Sequence, residues 1–259
     1  MTNIARKTFT ALALPAVLTI TWFLLSRNST DFFMPPLTAI LESFPETWFN
    51  ADRIQNDVIP SLTRLLTGYL IAVALGVLGG LAIGSSRPLR QFLEPVLEFF
   101  RAIPAPVLIP IVMLFAGIED TMKIIVIVMG CVWPVLLNTI EGVRGADEVQ
   151  RDVARCFRLT RMQRFTLTLR AASPQTLAGA RVALSLAVIL MVISEMFAAS
   201  SGVGFTIVQF QRNFAIPEMW SGILLLGFIG VTLAAIFAVF ERQALRWYSG
   251  LRRTQKEGR

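Results

Sequence analysis

Few residues in this chain could do chemistry, and they are scattered. Among 259 residues there is no histidine, which removes the usual general base and the commonest metal ligand. No GxxxxGKS or GxxxxGKT pattern occurs, so the chain carries no phosphate-cradling loop of its own. There is no clustered aspartate pair and no serine–lysine constellation, which excludes the common hydrolytic sites. Glu98, Arg101 and Glu195 stand out because they lie inside apolar runs. An ionisable group at membrane depth is costly and is read first as functional. Arg101 could attract an anion such as a sulfonate, nitrate or carboxylate. It could equally pair with Glu98 or Glu195 and hold broken helices together, and a neutralised arginine offers less field to a bound anion. Trp133 and Asn138 share another apolar run: Asn138 can bond a neighbouring helix, Trp133 can pack, and either could line a pathway.

These residues need helices to position them. The chain is 54% hydrophobic and only 16% charged, with mean hydropathy +0.63. A soluble domain carries about 25% charge, so the balance points to an integral membrane protein. A net charge of +7 needs only cytoplasmic loops and anionic lipid as its explanation, not nucleic acid. A span takes about 20 apolar residues. Six segments meet this: Phe9–Leu25, Leu62–Gly84, Phe92–Ala116, Met122–Ile140, Thr176–Ala198 and Met219–Phe240. The expected fold class is therefore all-α, a single polytopic membrane domain over 1–259. Arg6 and Lys7 before the first run also suit a signal peptide, but SRNST after Leu25 offers no small-x-small cleavage site, so retention is expected.

The third run contains Glu94, Glu98, Arg101 and four prolines, Pro95, Pro104, Pro106 and Pro110. Broken backbone at membrane depth needs shielding, so this segment is expected in the bundle interior. Gly76, Gly79, Gly80 and Gly84 point to close helix packing. Pro35–Pro36 followed by Leu37, Ile40, Leu41 and Phe44 suggests a short helix along the outer interface. Cys131 and Cys156 should fall at different depths and form no disulfide. Most arginines lie on one side when both termini are placed in the cytoplasm, as the positive-inside bias requires.

Between Gly142 and Pro174 the chain turns basic and amphipathic: GVRGADEVQRDVARCFRLTRMQRFTLTLRAASP. Asp147 with Gln150 resembles a capping box, and Thr160 with Gln163 a second. Val149, Val153, Cys156 and Phe157 share one helical face, while Met162, Phe165 and Leu169 continue an apolar stripe. The loop reads as helix, tight turn at Arg158–Leu159, helix. Its stripes could pack on the protein's own spans or on lipid, or enter a groove on a cytoplasmic partner.

The order of six runs, with this loop before the fifth, resembles the permease subunits of ATP-binding-cassette importers. Asp152-Val153-Ala154 stands where that family has E-A-A, Arg158 where it has Gly, and Leu169-Arg170 where it has L-P. Further phrases are similar to the nitrate, taurine and aliphatic-sulfonate branch: MPP at Met34, SLTRLLTGYLIAVALGVLGGLAIG from Ser61, LEPVLEFFRAIPAPVLIP from Leu93, WPVLLNT from Trp133 and SEMFAASSGVGF from Ser194.

This resemblance implies a bacterial inner-membrane subunit that performs no bond chemistry and binds no cofactor, with ATP held on partners. Those partners would be two cytoplasmic ATPases, a second permease copy or paralogue, an extracytoplasmic substrate-binding protein and membrane lipid. ATPase coupling would rest on Asp152, Val153, Ala154, Phe157, Arg158 and Thr160, with Phe157 as the buried knob. Pathway candidates are Arg101, Glu98, Glu195, Trp133 and Asn138. Ser200, Ser201, Gly202 and Gly204 read as a tight turn, or as part of an outer gate. The alternatives are a secondary carrier and a non-translocating structural subunit.

Overall fold

The computed structural model describes residues 2–145, 156–197 and 199–248, and every regular element among them is helical. Helix α1 is Thr2–Ser26 and α2 is Leu37–Trp48. Helix α3, Ala51–Ser85, includes a π-helical turn at Ile54–Val58. The chain returns through α4 (Arg87–Ala102), a 3-10 turn (Ala105–Leu108) and α5 (Ile109–Ala116). Then follow α6 (Asp120–Arg144), α7 (Arg161–Phe197), α8 (Val203–Arg212) and α9 (Ile216–Ala244). Four of these, α3, α6, α7 and α9, are long and apolar enough to cross a bilayer, and the bent α4–α5 pair makes a fifth if counted as one span. Ala13–Ser26 of α1 is a shorter apolar helix.

Glycine builds the central seam. Gly68, Gly76, Gly80 and Gly84 face Ile127, Val135, Thr139 and Val143 respectively. Both series advance together in steps of four or eight residues, so α3 and α6 run parallel with one stripe of each in contact. A Cβ on Gly80 would lie 2.5 Å from Thr139 Cβ and 2.9 Å from the Leu136 carbonyl oxygen. In a bilayer apolar burial gives no drive for helices to associate, so van der Waals contact at close backbone approach must hold them. Helix α7 runs antiparallel on the other side of α6, with Gly130 against Leu190, Gly179 against Pro134 and Gly142 against Ala172. Leu65, Ala72, Ile127, Cys131, Val135, Ala183, Ala187 and Met191 fill the core of this three-helix unit. Cys131 donates to the Ala183 carbonyl there (3.3 Å), whereas Cys156 is exposed.

Two sequence expectations are corrected. The loop's second helix and the fifth run are one helix of 37 residues, α7. Pro174 cannot donate to the Arg170 carbonyl, but Ser173 Oγ donates to it instead (2.8 Å), so the orphaned acceptor is satisfied and the helix continues. At 1.5 Å per residue the helix is about 55 Å long, beyond the ~30 Å hydrocarbon core, so its basic first part projects out of the apolar layer. Secondly, only the second half of the third run is interior within this chain: Ile109 and Val112 of α5 join the main core, and α4 does not. Pro104 forces Ile103 into an extended conformation (φ −79°, ψ 117°), and the two halves are bent by 82°. The bend swings α4 off the bundle axis: none of its residues is buried, and only Leu93 and Leu97 reach the core, against Ile83, Leu136 and Ile140.

The helix expected after Pro36 is present as α2. It packs on α9 through Trp48, whose indole N–H donates to Ser221 Oγ (2.9 Å). Leu37 and Ile40 are buried, but Leu41 points outward. Because α3 and α6 are parallel and α7 antiparallel, residues near 57–64, 120–123 and 195–204 gather at one end. Residues near 84–90, 141–145 and 156–172 gather at the other.

Candidate functional site

The first end is closed by charge. Glu195 is fully buried near the end of α7. Its Oε1 accepts from Arg64 (2.8 Å) and both oxygens accept from Ser61 Oγ (2.7 and 2.9 Å). Arg64, 4% exposed, also donates from Nε to Asp120 (2.7 Å) and from its two terminal nitrogens to the Ser201 carbonyl and hydroxyl (both 3.0 Å). Lys123, buried, lies 3.4 Å from the same Asp120 oxygen, and Arg53 pairs with Asp57 at 3.0 Å. Three cations, Arg53, Arg64 and Lys123, thus face three anions, Asp57, Asp120 and Glu195. A buried pair tolerates its desolvation only when the remaining lone pairs and protons are also bonded, and here they are. Arg64 was missed by sequence reasoning. The available signal was a cation in the first turn of an otherwise apolar run, SLTRLL.

The same cluster caps α8. The amide of Gly202 donates to Asp57 (3.0 Å), that of Val203 to Ser61 Oγ (2.9 Å) and that of Gly204 to Glu195 (2.9 Å). The N-terminal amides of a helix have no partners within it, so side chains of α3 and α7 supply them. Gly202 adopts φ 122°, ψ 160°, a region reserved for glycine. The turn before α8 therefore ends at Gly202, and Val203 and Gly204 already belong to the helix.

Arg101 and Glu195 do not meet. Arg101 pairs with Glu98 on α4, and both side chains are about half exposed (50% and 53%). Phe100, next in the chain, stacks on Trp133 of α6 with centroids 6.2 Å apart and planes 4° apart. Arg101, Glu98 and Trp133 therefore belong to one region, the α4 side of the bundle. Asn138 lies elsewhere, in the α6–α7 seam. Its side-chain amide donates to the Pro134 carbonyl (2.8 Å), and it packs against Gly179.

The opposite end carries the basic loop. Asp152, Val153 and Ala154, with Asp147–Gln150, lie outside the described residues. Beyond them the expected turn is present. Arg158 takes φ 48°, the left-handed conformation suited to glycine, at a cost of about 1 kcal/mol or more. The Thr160–Gln163 box is reciprocal. The Thr160 amide donates to Gln163 Oε1 (2.9 Å), and the Gln163 amide donates to Thr160 Oγ1 (3.4 Å). Phe157 is 74% exposed and Met162 72%, so the apolar tip is not buried by the chain's own helices. Arg170 continues the α7 helix and lines a cavity of about 410 Å³ with Leu167, Ala171 and Trp247.

A membrane bundle closed at one end and carrying an apolar, capped knuckle at the other invites comparison with known proteins. Residues 65–245 match the family described as binding-protein-dependent transport system inner membrane component. The chain belongs to this family. The putative aliphatic sulfonates transport permease protein of Bacillus subtilis is 30% identical over 240 residues, covering 91% of this chain and 86% of that one. The taurine transport system permease protein of Escherichia coli is 27% identical, covering 91% and 88%. The nitrate import permease protein of Synechocystis is 26% identical, covering 87% and 85%. Among solved structures, the inward-facing methionine ABC transporter superposes with a TM-score of 0.63 at 16% identity, over 77% of this chain and 98% of that chain. That likeness fixes the fold. The inner membrane component described here is thus a multi-pass permease built like those of ABC transporters.

Proposed function

We propose that this chain is the permease subunit of an ATP-driven importer for a small organic or inorganic anion. It lines the substrate path and couples that path to separate cytoplasmic ATPases, and carries out no bond chemistry itself. The observation that carries the reading is the knuckle at Phe157–Gln163: exposed, apolar at its tip, reciprocally capped and mounted on a helix too long to end inside the membrane. Ordering such a turn without burying its apolar residues makes sense when a partner buries them. Phe157 is the knob, Arg158 and Thr160 set its angle, and Asp152, Val153 and Ala154 complete the surface. ATP is bound by two ATPase partners, an extracytoplasmic binding protein delivers the anion, and both termini lie in the cytoplasm.

The α4 side carries the pathway. Arg101, Glu98 and Trp133 gather there on a helix that its own chain leaves uncovered. A second permease, identical or paralogous, covers this side, which gives the broken segment the shielding that membrane depth requires. The names of the sulfonate, taurine and nitrate relatives support an anionic substrate. Glycine is absent at Arg158, and the turn still takes the left-handed form, so this substitution keeps the knuckle shape. Affinity purification of the tagged chain from native membranes should recover an ATPase in stoichiometric amount. Recovery of the chain alone, with transport intact, would favour a secondary carrier.

A further inference from the structure

The turn at Ser200–Gly204 could be read as an outer gate, and the geometry argues against that. Three successive amides, those of Gly202, Val203 and Gly204, are held by three side chains from two long helices: Asp57 and Ser61 of α3 and Glu195 of α7. Arg64 ties the same carboxylate to Asp120 of α6 and to both oxygens of Ser201. Moving α8 away from this end would take the Gly204 amide from the buried Glu195 and the Ser201 oxygens from the buried Arg64, and would leave the amides of Gly202, Val203 and Gly204 without acceptors. Gly202 is not a loose hinge. A Cβ there would sit 2.4 Å from the Glu195 carboxyl carbon, so glycine serves close approach. Gly117, between α5 and α6, differs: its φ is 71° and a Cβ there would have nothing within 4 Å.

We infer that α8 is a fixed outer wall of the permease, and that Arg64 and Glu195 are positioning residues that lock it to α3, α6 and α7 throughout the transport cycle. Outer access then changes at the α4–α5 break, where α4 is uncovered, and not by parting these four helices. Each cation of the cluster is already paired with a carboxylate, so it offers no unpaired positive charge to an anion. The inference rests on the importer reading for the existence of two nucleotide states, and on this geometry for everything else.

The test is a distance measurement by double electron–electron resonance on the whole complex with its ATPases. Spin labels go on T63C in α3 and Q211C in α8, both exposed positions, in a C156S background that leaves the buried Cys131 unlabelled. In a complex carrying one labelled copy of this chain, any identical second copy being cysteine-free, the expected result is one narrow distance peak, unchanged between the nucleotide-free and the ATP–vanadate-trapped complex. A shifted or second peak in the trapped complex would make α8 a moving gate and overturn the inference. Substituting E195Q keeps the side-chain volume and one carbonyl acceptor but removes the charge facing Arg64. It should broaden the peak in the nucleotide-free complex. A peak as narrow as that of the parent would remove Glu195 from the positioning role. The first comparison alters nothing in the latch, so it stands even if E195Q fails to assemble. ATP hydrolysis is measured on the same samples. Its absence would count against the importer reading, while the nucleotide-free E195Q comparison would still decide the positioning role.

Discussion

Replacing Gly202 with alanine should unsettle the closed end of the bundle out of proportion to the single methyl added. Two separate costs arise. The backbone at φ 122°, ψ 160° is accessible to glycine and strained for alanine, at about 1–3 kcal/mol. The new Cβ would also fall 2.4 Å from the Glu195 carboxyl carbon and within 2.6 Å of both its oxygens. The carboxylate must then move and weaken its bonds to Ser61, Arg64 and Gly204, and hydrogen bonds to a charged group contribute about 1.5–3 kcal/mol. The expected loss is therefore about 2.5–6 kcal/mol, read by equilibrium unfolding of the purified protein in mixed micelles. Gly227→Ala and Gly230→Ala on α9 are the controls, because a Cβ at either position meets nothing within 4 Å. Within a helix these should gain roughly 0.5–1 kcal/mol. If G202A unfolds within about 1 kcal/mol of the parent, well below the strain and bond losses summed here, the described packing at Glu195 is wrong.

Three further outcomes follow from the same structure. Phe157→Ala should lower ATPase stimulation by the loaded binding protein several-fold while the complex still assembles; unchanged stimulation would remove Phe157 from coupling. Arg101→Ala should change unfolding stability by less than about 1 kcal/mol, because its pair with Glu98 is half exposed, yet it should reduce anion-dependent ATPase stimulation; exchanging the charges of Arg101 and Glu195 should not restore transport, since the two do not meet. Gly80→Leu should part α3 from α6, because even a Cβ would lie 2.5 Å from Thr139 Cβ and 2.9 Å from a backbone oxygen. Overpacking of this kind costs typically 1–3 kcal/mol, and parent-like expression with parent-like unfolding would contradict the seam.

Helices were legible in the sequence wherever one physical rule sufficed. Apolar length located α3, α6, α7 and α9, and the recurrent glycines of α3 marked the seam that does face α6. The T-x-x-Q box at Thr160 gave the start of α7, and the turn at Arg158 lay where expected despite the missing glycine. Composition failed where a local rule was overridden by a neighbour. The loop's second helix and the fifth run read as separate pieces on either side of Pro174, but the Ser173 hydroxyl satisfies the carbonyl that Pro174 orphans. The third run is charged and broken, which suggests an interior place, but the 82° bend keeps only α5 in the core and swings α4 outward. Glu195 is deeply buried, but its partner is Arg64, 131 residues away in the chain, and no spacing rule links two such positions. Only the parallel packing of α3 on α6 and the return of α7 bring Arg64, Asp120 and Glu195 together.

The account depends most on the knuckle touching a motor. A photocrosslinking amino acid placed at Phe157, in cells that also make the complete transporter, tests this most directly. The expected product after irradiation is a single adduct between this chain and an ATPase partner, lost when the crosslinker is moved to the exposed Phe214, between α8 and α9. Adducts with lipid or with this chain alone, while the complex remains assembled, would contradict it.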